Sequence, residues 1–239
     1  MSNKFDKKVV VVTGGTSGIG LATAKQFAEA GASVFITGRR QDALDAAVKA
    51  IGGRITGVRA DMAQLGDIDR LYDAVQRKHG HIDVVFANAG GGEFAPSGAI
   101  TEEHFDKTFA TNVKGVLFTV QKALPLMHDG GSVILTSSTT GSTGTPAFSV
   151  YSATKAAVRN FARSWALDLK ERHIRVNAIS PGRDRDCWTQ RPVWRRRPSR
   201  SHQGGHRCGN PVRPCRAAGG NRQRGVVSRL QRGQLYQWC

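Results

Sequence analysis

Thr13-Gly14-Gly15-Thr16-Ser17-Gly18-Ile19-Gly20 is the stretch whose reading decides the fold. Before it, Lys8–Thr13 (KVVVVT) is an unbroken β-branched run, the mark of a strand buried on both faces of a parallel sheet. After it, LATAKQFAEAG carries Leu21, Ala24, Phe27 and Ala28 at helical spacing, with Gly31 as a stop. Gly14, Gly18 and Gly20 stand at G-x-x-x-G-x-G spacing between strand and helix. Such a turn lets backbone N–H groups and the positive helix N-terminus meet a pyrophosphate with no Cβ in the way. A tight turn that merely needs glycine dihedrals is the plainer alternative, and the flanks weigh against it.

Outward from the loop, strands and helices alternate. Ser33–Thr37, Ile55–Arg59, Asp83–Ala87, Ser132–Thr136 and Ile174–Ile179 read as strands. Gln41–Ile51, Ile68–His79, Glu102–Met127 and Ser149–Leu169 read as helices between them. Right-handed crossovers then give an α/β fold with a doubly wound parallel sheet (a Rossmann fold), three layers α/β/α, with ligands beyond the carboxyl ends of the strands. At 239 residues and 39% apolar content the chain buries one sizeable core. No stretch approaches a membrane span, and MSNKFDKK has no signal-peptide h-region, so a cytoplasmic setting is expected.

The charge is uneven. The formal net charge is +17, which raises nucleic-acid binding as a function class. Residues 183–239, however, hold 14 of the 35 basic and 2 of the 18 acidic side chains. Every basic residue there is Arg, and Lys, Glu, Ile, Phe and Met are absent. Two parts are therefore expected: 1–182, a dinucleotide-binding and catalytic domain incomplete at its C-terminal end, and 183–239, an aberrant, Arg-rich, disordered tail. All four cysteines (Cys187, Cys208, Cys215, Cys239) lie in that tail at spacings that match no zinc pattern, so no metal is expected.

Two groups of side chains carry chemistry. Thr37-Gly38-Arg39-Arg40 ends the second strand, where a carboxylate would hold ribose hydroxyls and Arg accommodates a 2′-phosphate. With no carboxylate and two arginines, NADP(H) is the expected cofactor, NAD(H) the lesser one. Asp61 follows the third strand, as an acceptor for an adenine amino group or as a helix N-cap. Tyr151 and Lys155 form a Y-x-x-x-K pair on one helix face. An ammonium beside a phenol favours the phenolate and moves its pKa toward the working range. Ser138 closes the fifth strand, and Asn112 is a polar residue in a mostly apolar helix.

TGGTSGIG (13–20), Asp61, Asn88-Ala89-Gly90, Asn112, Ser138, Tyr151/Lys155 and Pro181-Gly182 together resemble the short-chain dehydrogenase/reductase family in its three-glycine form. The resemblance covers residues 1–182. It implies a soluble homo-dimer or homo-tetramer that transfers hydride between NADP(H) and a carbonyl or secondary alcohol. It also implies a tetrad in which Tyr151 is acid/base, Lys155 lowers its pKa and binds ribose, Ser138 orients the carbonyl, and Asn112 holds a relay water. Cofactor contacts are implied for Gly14, Thr16, Ser17, Gly18, Ile19, Gly20, Arg39, Arg40, Asp61, Met62, Asn88, Ala89, Gly90, Tyr151, Lys155, Pro181 and Gly182. Ala87 stands where many members have Asn.

After Gly182 the resemblance stops. A reading-frame shift accounts for it: reread one base later, Tyr236-Gln237-Trp238-Cys239 encodes Ile/Thr, Asn/Ser, Gly and Ala/Val, the element that enters the family's last strand. Two other readings follow from the break: a cofactor-binding protein with impaired catalysis, and nucleic-acid binding through the Arg-rich tail.

Overall fold

The computed structural model describes residues 4–182. The expected tail at 183–239, its disorder and its shifted frame lie outside them.

Six strands form one parallel sheet: β1 (Val9–Val12), β2 (Ser33–Gly38), β3 (Ile55–Arg59), β4 (Ile82–Ala87), β5 (Met127–Thr136) and β6 (Arg175–Ile179). Their order is β3-β2-β1-β4-β5-β6. The order reverses between β1 and β4, where the helices leaving neighbouring strands cover opposite faces and a crevice opens at the carboxyl ends. The helices are α1 (Gly18–Glu29), α2 (Gln41–Ile51), α3 (Leu65–Lys78), α4 (Glu102–Phe109), α5 (Gly115–Ala123) and α6 (Ser149–Asp168).

Alternation along β1 builds both cores. Val10 and Val12, with Val34 and Ile36 of β2, pack against Ala24 of α1 and Leu44 and Ala47 of α2. Val9 and Val11 face the other way, with Phe35, Val85, Val133 and Leu135, onto Ile68, Leu71 and Val75 of α3, Val116 and Val120 of α5, and Val158 and Ala162 of α6. A strand buried on both faces needs apolar residues at every position, which is why β1 reads VVVV.

The helix expected over Glu102–Met127 is interrupted. A π-helical segment, Ala110–Lys114, joins α4 to α5, and the chain then enters β5 at Met127, five residues before the expected start. Directly after this segment comes Gly115, where a Cβ would lie 2.5 Å from the Met62 carbonyl, so the start of α5 is packed against the loop after β3. A wider turn repositions one residue relative to the regular α-helix, and the residue it carries is Asn112.

Candidate active site

The glycine loop is a staple between three strands. Gly14 N–H donates to Thr37 Oγ1 at 3.2 Å, and Gly15 N–H to the Thr37 carbonyl at 2.9 Å. Asn88 Nδ2 donates to the carbonyls of Thr13 and Gly14, both at 3.2 Å, while Thr136 Oγ1 donates to Asn88 Oδ1. Asn88 and Ala89 N–H both donate to Thr13 Oγ1 at 3.0 Å. Gly14 has φ +64°, and a Cβ on Gly20 would stand 2.2 Å from the Gly14 carbonyl oxygen. Glycine is required at both places, one for conformation and one for approach. Ser17, Gly18 and Ile19 stay exposed at the start of α1, with α1's free N–H groups and its positive end directed at the same crevice.

At the end of β2, Gly38 has no room for any side chain: a Cβ would lie 2.4 Å from Thr16 Cγ2. The missing carboxylate is thus fixed by packing. Arg39 and Arg40 follow, both exposed. The sequence reading left out Arg59. It lies in register with Gly38 across the β2–β3 ladder, and the position two residues back, Gly57, faces Leu44 and Val48 of α2. Side chains two apart on a strand share a face, so Arg59 projects on the face of Gly38 and Thr16. The only sequence signal was a third arginine at a strand end, and pairing register is invisible in one strand alone.

Asp61 serves its own turn, accepting Ala63 N–H at 3.0 Å, while its N–H donates to Asp67 Oδ2 at 2.8 Å. That bond closes a local turn and caps no helix, since α3 begins at Leu65 with Gln64 as its N-cap; the expected N-cap role is not the one Asp61 takes. Met62 brings no side chain to the crevice; its thioether is in the core against Thr119.

The remaining residues converge from β5, α6 and the π segment. Lys155 is 2% exposed, and its ammonium donates to the Thr136 carbonyl at 2.8 Å. Among the described residues no carboxylate pairs with it, and burial lowers its pKa to about 8. A Cβ on Gly90 would come within 3.3 Å of Nζ, so Gly90 lies directly over the ammonium. Lys155 Nζ is 5.4 Å from the Tyr151 ring centroid. Burial raises the Tyr151 phenol above its ordinary value, opposed in part by the Ser138 hydroxyl beside it. Burial outweighs that hydroxyl, so the phenol stands above its ordinary value here, not below it as expected. Ser138 caps the short turn Thr139–Gly141, accepting from Thr140 Oγ1 at 3.1 Å. Pro181 is tied in by Thr139 N–H, which donates to its carbonyl at 3.2 Å, and Gly182 follows it against Thr139.

Asn112 is fully buried, and its amide is committed to protein. Oδ1 accepts Gly91 N–H at 3.0 Å, while Nδ2 donates to the Gly91 carbonyl at 2.8 Å and to Thr154 Oγ1 at 3.1 Å. The side-chain amide is thus a strut that fixes the Gly90–Gly92 run. That run in turn touches the phenol: a Cβ on Gly92 would lie 2.5 Å from Tyr151 Cδ2. The sequence reading missed Gly92, Thr136 and Thr154, since each acts through a partner far along the chain.

The strand-reversal crevice thus has the glycine loop on one side and Ser138, Tyr151 and Lys155 on the other. A family model described as short chain dehydrogenase matches residues 8–185, and the chain belongs to that family. An oxidoreductase of Sarocladium schorii, asL5, is 54% identical over 176 residues, covering 73% of this chain and 71% of that one. An uncharacterized oxidoreductase of Methylorubrum extorquens is 39% identical over 184 residues, 75% and 74% of the two chains. A short chain dehydrogenase from Burkholderia cenocepacia, solved in complex with NADP, superposes with a TM-score of 0.72 at 33% identity and 75% coverage of each chain. No helix among the described residues is long and apolar enough to cross a membrane.

Proposed function

We propose that the protein reduces a ketone, or oxidises the corresponding secondary alcohol, with NADP(H) as the preferred cofactor. The carrying observation is Lys155. A lysine 2% exposed, held by one carbonyl and no carboxylate among the described residues, costs stability that packing does not return. That cost has a purpose if the ammonium meets ribose hydroxyls and the phenol once the crevice is filled. The glycine loop is compatible with a pyrophosphate: close packing at Gly14 and Gly20 holds its shape, and Gly18, exposed at φ +53°, has open space where a Cβ would stand. The bound dinucleotide supplies the hydride. Tyr151 holds the proton that reaches the carbonyl oxygen, and its raised pKa keeps it a donor at neutral pH. Ser138 orients that oxygen, Asn112 positions Gly91 and Gly92 against the phenol, and Arg39, Arg40 and Arg59 surround a 2′-phosphate. The substrates are small molecules; a cytoplasmic setting and a homo-oligomer accompany this reading.

The decisive experiment is Tyr151→Phe in a protein whose cofactor affinity is measured in parallel. Loss of carbonyl reduction with unchanged NADPH affinity supports the proposal, and ordinary turnover overturns it.

One observation favours a second reading, a cofactor-binding protein with impaired turnover. The family match ends at residue 185, three residues past the composition break, and the matched part of asL5 is 71% of its length. Resequencing the gene across codons 180–185, and comparing turnover of the chain as written with a one-base-restored version, separates the two. Equal turnover removes the second reading; NADPH binding without turnover supports it.

A further inference from the structure

We infer that Thr140 is a positioning residue: it fills both lone pairs of Ser138 Oγ, so that the Ser138 hydroxyl is left to donate into the crevice and never to accept. This rests on the reading of Tyr151 as the acid/base, with Ser138 beside it at the reacting oxygen. A serine hydroxyl has one proton and two lone pairs. At Ser138 both lone pairs are met by a single residue, Thr140, whose N–H donates at 3.3 Å and whose Oγ1 donates at 3.1 Å. Only the proton remains. The acceptor beside it is the Tyr151 oxygen, and the Ser138 side chain favours the charged form of that phenol, as a donated hydrogen bond does.

The turn that presents Thr140 is clamped to the helix that carries Tyr151. Thr139 N–H donates to the Pro181 carbonyl at 3.2 Å, and Gly141 N–H to the Ser138 carbonyl at 3.1 Å. A Cβ on Gly141 would lie 2.9 Å from the Lys155 carbonyl carbon and 3.0 Å from Ala156 N, so the turn rests directly on the α6 backbone. Arg159, one helical turn beyond Lys155, donates through Nη2 to the Gly141 carbonyl at 3.2 Å. Ser137 Oγ ties the preceding residue to the Lys155 carbonyl at 2.8 Å. Backbone bonds close this turn, so the Thr140 hydroxyl is not spent on it and goes to Ser138 instead. Of the two hydroxyls that face the reacting oxygen, Ser138 therefore donates throughout and keeps its proton, and Tyr151 is the one whose proton moves. A carbonyl oxygen, with two lone pairs for two donors, fits that pair. Hydrogen bonds in series strengthen one another, so losing the Thr140 bond weakens the one Ser138 gives.

The test reads the phenol directly, in the full chain labelled with 3-fluorotyrosine, by fluorine NMR over a pH series. Fluorination lowers phenol pKa values, which moves the titration toward the range where the fold, followed by circular dichroism, persists. The Tyr151 resonance is the one absent from Tyr151→Phe. Ser138→Ala is expected to raise the Tyr151 pKa by about half a unit to one unit. Thr140→Val, which keeps the shape and the backbone N–H but removes the hydroxyl, is expected to give at least half of that rise, and Thr140→Ser none. Thr140→Ala, smaller than the native residue, is read alongside with the same expectation as Thr140→Val. With Ser138 already replaced by Ala, Thr140→Val is expected to add nothing. No rise in Thr140→Val and Thr140→Ala, an equal rise in Thr140→Ser, or a rise that persists beside Ser138→Ala overturns the inference; the last is what desolvation by valine alone would do. The acid/base reading is scored apart by turnover. Normal carbonyl reduction in Tyr151→Phe would remove that reading, whereas the phenol shift and its dependence on Thr140 are read with no turnover at all.

Discussion

The β1–β3 half of the site and the β4–β6 half solve opposite problems. The first is held by close backbone approaches. At Gly14, Gly20 and Gly38 a Cβ would come within 2.9, 2.2 and 2.4 Å of a neighbour, so glycine alone lets the loop and the end of β2 pack as they do. Its polar groups are backbone amides and exposed arginines, so solvent is displaced only when a ligand arrives. The second half is filled in advance. Lys155, Asn112 and Thr154 are buried, their polar atoms are matched by carbonyls and hydroxyls, and Tyr151 is held between Phe148 and Gly92. The difference teaches how one crevice serves binding and chemistry: a phosphate needs unobstructed donors, whereas a proton donor needs fixed geometry within hydrogen-bond reach.

This contrast breaks first at Tyr151. Tyr151→Phe is expected to lower turnover by about two to four orders of magnitude while leaving NADPH affinity within twofold, as read by steady-state rates and cofactor fluorescence. Gly20→Ala should do the reverse. Its Cβ would lie 2.2 Å from the Gly14 carbonyl, so the loop must deform, and NADPH affinity is expected to fall by tens of fold. Affinity that survives this change would mean that the loop does not seat the pyrophosphate.

Arg39→Asp sharpens the binding half. NADPH is expected to bind at least tenfold tighter than NADH, about 1.4 kcal/mol, and the substitution is expected to erase that preference. Equal affinities before substitution would end the case for a 2′-phosphate site. A smaller effect, about threefold, is expected for Arg59→Ser, confined to NADPH and fading with added salt because the charge is exposed. An equal loss for NADH would assign Arg59 to general stability.

The catalytic half has its own pH signature. The Lys155 pKa is depressed to about 8 in the folded protein, so the native state releases this proton before the unfolded chain does. Between about pH 8 and the ordinary lysine range the unfolded state binds more protons, so this group adds stability as pH rises. Cofactor affinity moves the other way, because the ammonium that meets ribose is lost above about pH 8. A few-fold weakening of NADPH binding between pH 7 and 9, absent in Lys155→Met, is the expected record in paired titrations.

Much of this was legible in the chain. The run KVVVVT before the glycines, and helical spacing after them, specify a strand–turn–helix unit wherever they occur, since burial on both faces leaves no other pattern. Strand and helix order followed from the same periodicities, with boundaries off by a few residues at β5 and α3. Tyr151 and Lys155 were visible as a pair because i and i+4 meet on any helix. The π segment was not, because nothing in the periodicity of 102–127 marks it, and its neighbour Gly115 packs on Met62, fifty-odd positions away. Nor were the roles of Gly92 and Asn112, which depend on what the fold brings opposite them.

The sequence alone thus determined the layer architecture and the family, and it singled out the glycine loop and Ser138, Tyr151 and Lys155 as candidates, all from local patterns or short spacings. Tertiary structure decided how those groups act. It made the Asn112 side chain a strut, directed the Lys155 ammonium to the Thr136 carbonyl, and placed Arg59 beside Gly38. It also lined up Phe94, Phe148 and Tyr151. The physical reason is the same in each case: hydrogen bonds, burial and register join residues through space, and periodicity reports only which face a residue takes, not what will stand against it.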